Sequence, residues 1–215
     1  MTSTGLMLEI EELVFDTLDL RSDALNAALA IEGLTLPLQV VREAHTGATA
    51  GMALDRLPQA TALDVVARDL VLKRAADHAS ARFEHHPPSF DAGARNSLER
   101  LSAECSLALV TRATRAEAQR MLEQAGIEAC VRTIRSLGDL PLAEQHAVWR
   151  DAASRLHTGR SIAIAPAPLL PAARRAGLTT IAIGDSASDA DATLVSLSQL
   201  DALFLSSLPR IHEPS

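Results

Sequence analysis

The sequence predicts an α/β fold: a parallel sheet flanked by helices, with an all-helical segment inserted after the first strand. Three observations carry this. From residue 105 onward, the apolar runs "CSLALV", "ACVRTI", "SIAIA" and "LTTIAI" are each separated from the next by a helix-period segment, the alternation that builds right-handed βαβ units. Across residues 22–80 every periodic segment reads helical. Near the N-terminus, the stretch from Leu6 onward reads as a buried strand punctuated by acids, so it joins the same sheet.

The elements follow in order. "LMLEIEELVFDTLDL" reads as a buried strand leaving into a helix, with Glu9, Glu11 and Glu12 clustered where the strand ends. "SDALNAALAIEG" predicts a helix capped by Ser22 and stopped by Gly33. "GATAG" and "LPQ" break the helical segments, and "TALDVVARDLVLKRAADHA" opens with Thr61 and Asp64 in capping-box spacing. The Pro-rich "HHPPSFDAG" returns the chain to the sheet. After "CSLALV", Thr114-Arg115-Ala116-Glu117 is a capping box for a helix that ends before Gly126. A helix around residues 142–157 places Trp149, Ala152, Ala153 and Leu156 at i, i+3, i+4 and i+7. "PLLPAARRAG" is a further helix, stopped by Gly177. The domain boundaries expected from this reading are 1–20 and 86–215 for the α/β core and 21–85 for the helical insert.

Composition narrows the function. Over 215 residues, 47% apolar and 22% charged side chains are ordinary for a globular chain, and a net charge of −7 disfavours nucleic acid and anionic membranes as partners. No basic-then-apolar leader pattern and no apolar run of the ~20 residues needed to span a bilayer occur, so a cytoplasmic location is expected. Cys105 and Cys130 sit in apolar runs and read as free thiols. Lys73 is the one lysine, and with no tyrosine and 2% aromatics there are few surfaces for stacking a base or sugar.

A helical insert after the first strand followed by successive βα units resembles the haloacid dehalogenase superfamily, in particular its β-phosphoglucomutase-like and phosphoglycolate-phosphatase-like branch. The resemblance implies a Rossmann-like core and a helical cap. "LEIEELVFDTLDLRSDALNAALAIEG" falls without a gap onto the family's first motif, of the form "FDxDGTLxDT" with its following helix. Asp16-Thr17 then matches the motif's trailing acid and hydroxyl, Glu9 takes the nucleophile position and Glu11 the acid/base position, Glu12 replaces a glycine, and Leu13 a threonine or valine. "LALVTRATRAEAQRMLEQAGI" resembles the second motif, with Thr111 at the phosphate-binding hydroxyl and Arg112 beside it; Arg115 is a further cation on that loop. In such a site an aspartate attacks phosphorus, a second protonates the leaving group, a lysine or arginine holds phosphoryl oxygens, and acids after the fourth strand complete an Mg²⁺ site.

This chain departs from that pattern at several places. Both glutamates carry an extra methylene, "PLAEQHAVWR" has no third-motif lysine, and Ala165-Pro166-Ala167-Pro168 stands where the metal-binding acids belong. Without those partners Glu9, Glu11 and Glu12 are expected to crowd as like charges, some protonating or turning to solvent. The resemblance therefore implies a phosphatase fold that has lost hydrolysis, a pseudoenzyme with a binding or regulatory role toward a phosphorylated small molecule or a protein partner, without a cofactor. Two alternatives stay open: a divergent Mg²⁺-dependent phosphomonoester hydrolase with Glu9 as nucleophile, and a structural or assembly subunit. "IAIGDSASDADA" offers a competing placement of the metal ligands at Asp185 and Asp189, against which "AARRAGL" precedes rather than follows it; the bland reading is a turn capped by Asp189 or Ser186. Asp16 as nucleophile lacks a second acid two residues on. His45, in "HTGATAG", falls on the loop that faces the site in relatives, or else is exposed. His85-His86 reads as hinge surface, and Asp91, Asp139 and Asp201 as caps or turn residues.

Overall fold

The computed structural model describes residues 4–11, 13–138, 140, 143–184 and 189–208. Strand β1 (Thr4–Glu9) leads through a short turn into α1 (Leu18–Ile31), followed by α2 (Leu38–His45), α3 (Ala50–Arg56) and α4 (Val65–His85). Then come α5 (Ala92–Glu104), β2 (Ser106–Thr111), α6 (Arg115–Ala125), β3 (Val131–Ser136) and α7 (Gln145–Leu156). The chain continues through β4 (Arg160–Ala165), α8 (Leu170–Arg175), β5 (Thr179–Ile183), β6 (Ala192–Leu194) and α9 (Ala202–Ser207). The sheet is six-stranded in the order β3-β2-β1-β4-β5-β6, and every neighbouring pair is parallel.

The strand order places β1 at the centre. The chain steps outward from β1 to β2 and β3, then returns to lay β4 on the other side of β1. That reversal opens a crevice beyond the carboxyl ends of the strands, and β1 ends in it at Glu9, level with Val110 of β2. Side chains alternate across the sheet by size. Leu6, Leu8, Leu109, Ile162 and Ile164 pack with Leu98 and Leu101 of α5 and Met121 and Leu122 of α6. Met7, Ala108, Val110, Ala163, Ala165 and Ala182 face the other way, where the alanines leave room for Trp149, the largest fully buried side chain.

The helical insert has its own apolar centre, with Leu25, Leu29, Val41, Leu54, Leu57 and Val71 all buried. Ion pairs Asp23–Arg82 and Glu32–Arg74 fix α1 and α4 antiparallel. Helix α1 begins at Leu18 after Thr17, a turn before the predicted Ser22 cap; Ser22 is buried inside the helix. The Asp64 side chain caps α4 by accepting from the Ala67 N–H, while Thr61 lies in the preceding short 3₁₀ turn. The predicted capping box at Thr114 and Glu117 forms, and Gly126 terminates α6 with a left-handed φ of 66°. Helix α7 starts at Gln145; residues 141 and 142 lie outside the described ones. No described helix is long and apolar enough to cross a membrane. Cys105 and Cys130 are free and half-buried.

Candidate active site

The site positions predicted from sequence meet at the carboxyl end of β1, and they meet as buried ion pairs. Glu9 and Glu11 are both fully buried. Arg112, from the loop after β2, donates through Nε to Glu9 Oε1 at 3.3 Å and, more loosely, through Nη2 to Oε2 at 3.5 Å. The Glu11 backbone N–H also donates to Glu9 Oε1, at 3.2 Å. Glu11 Oε1 accepts from the Thr111 hydroxyl at 3.1 Å, and its Oε2 accepts from the Thr17 hydroxyl at 3.0 Å and from Arg21 Nε. All four residues singled out by sequence, Glu9, Glu11, Thr111 and Arg112, thus belong to one cluster. Arg21 is the member that sequence reading missed, although it lies one helical turn beyond Thr17 and both reach Glu11.

Neither Glu9 nor Glu11 turns to solvent, and Glu11 does not protonate as the like-charge crowding predicted. Burial pushes the pKa of Glu11 upward, but the charges of Arg21 and Arg112 and the hydrogen bonds from Arg21 and Thr17 outweigh it, lowering the value to about 2. The sequence sets the like charges close together at and just beyond the end of β1, and the third dimension brings compensating guanidiniums to Glu9 and Glu11. Glu12, the third acid of the cluster, lies outside the described residues, as do Asp139, Asp185 and Ser186.

Arg112 also reaches across to the insert, its Nη1 donating to the Ala48 carbonyl at 3.1 Å. Beside that contact Gly47 adopts φ +59°, and a Cβ there would stand 3.0 Å from Pro166 and 3.2 Å from Pro168. The prolines at the position where the family carries metal-binding acids are therefore packed against the insert's loop. Replacing Gly47 by alanine is expected to cost roughly 1–2 kcal/mol for the left-handed backbone, with a further loss from the proline contact. Urea unfolding of Gly47→Ala beside Gly33→Ala separates the two, since Gly33 has φ +80° with nothing within 4 Å of its added Cβ.

His45 is buried rather than exposed, and lines a cleft of about 80 Å³ between insert and sheet together with Arg21, Thr49, Arg112 and Thr114. Burial, then the positive charges of Arg112 and Arg21, hold its imidazole down at about 3, so it is neutral under ordinary conditions. The phosphate-binding hydroxyl expected at Thr111, and the N–H groups that follow it, are engaged from within. Ala113 donates its N–H to Thr111 Oγ1, Thr114 donates its N–H to Glu117, and Glu117 donates its own to Thr114. Arg115, Asp16, Asp189, Lys73, His85 and His86 are exposed. Asp91 and Asp201 cap α5 and α9.

Comparison with solved structures gives the architecture its relatives. A hydrolase from Pseudomonas syringae superposes with a TM-score of 0.75 at 17% identity, over 97% of this chain and 100% of that one. A haloacid dehalogenase-like family protein from Streptococcus pneumoniae gives 0.73 at 15%, over 94% and 98%. The β-phosphoglucomutase of Clostridium difficile gives 0.73 at 14%, over 96% of each chain. The fold is that of the haloacid dehalogenase-like hydrolases. At these identities the likeness is one of fold, and activity has to be argued from the site. No protein-family model and no curated protein matches the sequence.

The Mg²⁺ that a haloacid dehalogenase-like fold implies does not fit the residues described. Glu9 is held by a guanidinium, and the loop after β4 presents prolines packed on Gly47 instead of carboxylates. Among the described residues no three His, Cys, Asp or Glu side chains are grouped to hold a metal ion. At the start of α7, where the family's lysine belongs, Gln145 is fully buried and donates to the Leu140 carbonyl at 3.0 Å.

Proposed function

We propose that this chain is a phosphatase-fold protein that no longer transfers phosphoryl groups and keeps its cleft, covered by the helical insert as a cap, for binding. The observation that carries the reading is the pairing of each inherited acid with an arginine, Glu9 with Arg112 and Glu11 with Arg21. A nucleophile must be free to attack, and Glu9 is held on both oxygens. A general acid works best with a pKa near the operating pH, and Glu11, at about 2, carries no proton to donate near neutrality. Guanidiniums placed where a dissociable cation and a lysine would act make a site whose charges are already satisfied.

The test is an Mg²⁺-dependent phosphatase assay with p-nitrophenyl phosphate and a panel of sugar phosphates. The expected result is no turnover above that of Glu9→Gln, with Glu9→Asp equally silent because the metal ligands and lysine are still missing. Turnover by the natural chain that Glu9→Gln abolishes would overturn the reading in favour of a divergent hydrolase.

A further inference from the structure

The cleft contains hydrogen-bonding capacity that the ion pairs do not use. Arg21 is mostly buried, with 14% of its side chain exposed, and among the described residues only its Nε is engaged, by Glu11. A guanidinium offers five N–H donors in a planar fork, and Arg21 lines the cleft with two terminal nitrogens that no described residue engages. His45, also on the cleft, has an Nδ1 with no partner among the described residues while the whole residue is 3% exposed. A buried ring nitrogen without a partner is rare in native structures and calls for a water or a ligand. The opposite wall, on α4, is built of Leu72, Ala75, Ala76 and Ala79. The space is small: about 80 Å³ holds roughly five to seven water-sized groups.

We propose that this cleft binds a short aliphatic carboxylate, its carboxylate on the Arg21 fork beside His45 and its hydrocarbon on the alanine face of α4. The inference rests on the reading of the cleft as a binding site and names its ligand class. A carboxylate is planar and matches a guanidinium edge with two parallel hydrogen bonds, which a single arginine can supply. A phosphate ester needs more donors. The Thr111 hydroxyl and the N–H groups of Ala113 and Thr114 are already given to Glu11, Thr111 and Glu117. The apolar wall favours a chain of methylenes over a hydroxyl-rich sugar, because sugar hydroxyls would lose water there without replacement.

Isothermal titration of the full chain with propionate, butyrate and valerate, with butyramide and inorganic phosphate as comparison probes, tests this. At least one of the carboxylates is expected to bind, with butyramide at least about tenfold weaker for want of the charge-assisted pair. Arg21→Lys keeps a cation for Glu11 but removes the fork, and is expected to weaken the carboxylate about tenfold or more. Ala76→Leu, at an exposed helix position, should fold normally and block the hydrocarbon end. The His45 ring resonances, assigned by comparison with His45→Gln, should shift on titration with the natural chain and stay still with Ala76→Leu. Absence of binding by all three carboxylates overturns the inference, and so does binding that neither Arg21→Lys nor Ala76→Leu affects, or a preference for inorganic phosphate. These results are independent of hydrolysis. A chain that cleaves phosphate esters loses the functional reading above, and one that cleaves nothing yet binds no carboxylate loses this inference alone.

Discussion

Arg112→Met is expected to lower folding stability by about 3–5 kcal/mol, a large share of what a domain of this size possesses. The substitution leaves the fully buried Glu9 carboxylate without the guanidinium across from it, and removes the hydrogen bond to the Ala48 carbonyl that ties the insert to the sheet. Bringing two charges out of water offsets much of their attraction, and stranding one of them is the costlier change. Glu9→Gln combined with Arg112→Met is therefore expected to recover most of the loss. Urea unfolding of the two single variants and the double variant gives the coupling directly. Losses that simply add would mean that Glu9 and Arg112 are not energetically paired.

Acid sensitivity is the second large effect. Glu11 falls from 4.5 to about 2 on folding, so the unfolded chain binds its proton first as pH drops. Its contribution is fully present above 4.5 and is lost as pH falls toward 2. His45 falls from 6.5 to about 3, so its neutral folded form is favoured above 6.5 and the stability it contributes drains away below that. At about 1.4 kcal/mol for each unit, the two groups contribute on the order of 3–5 kcal/mol each. The chain is thus expected to lose stability from just below neutrality and to unfold before either folded-state pKa is reached. Urea melts at stepped pH check this. His45→Gln should flatten the dependence between 6.5 and 4.5 and roughly halve its slope from 4.5 to about 3, where Glu11 alone then titrates, and a natural chain already flat between 6.5 and 4.5 would contradict the burial of His45.

Much of the fold was legible because the core strands carry period and composition together. "SIAIA" alternates large and small residues, and in β4 the isoleucines and alanines face opposite layers. Strand β6 escaped because three residues at a sheet edge carry too short a pattern. Helix α5 escaped despite a signal: Ala94, Ser97, Leu98 and Leu101 fall on one face, and Asp91, read only as a cap or turn residue, starts that helix. The site was legible as a set of residues and illegible as a charge balance. The acids stand close together at and just beyond the end of β1, whereas Arg112 lies about a hundred residues later in the chain and Arg21 belongs to a helix that starts a turn before the Ser22 cap the sequence predicts. Local reading saw the repulsion, and only the topology supplies the attraction.

Crystals of the full chain grown with Mg²⁺ and beryllium fluoride show whether the paired carboxylates can take a metal ion. The account predicts Arg112 on Glu9 and Arg21 on Glu11 as they stand, with no metal ion and no fluoroberyllate on either carboxylate. A divalent ion bound to Glu9, with Arg112 turned away, would contradict it.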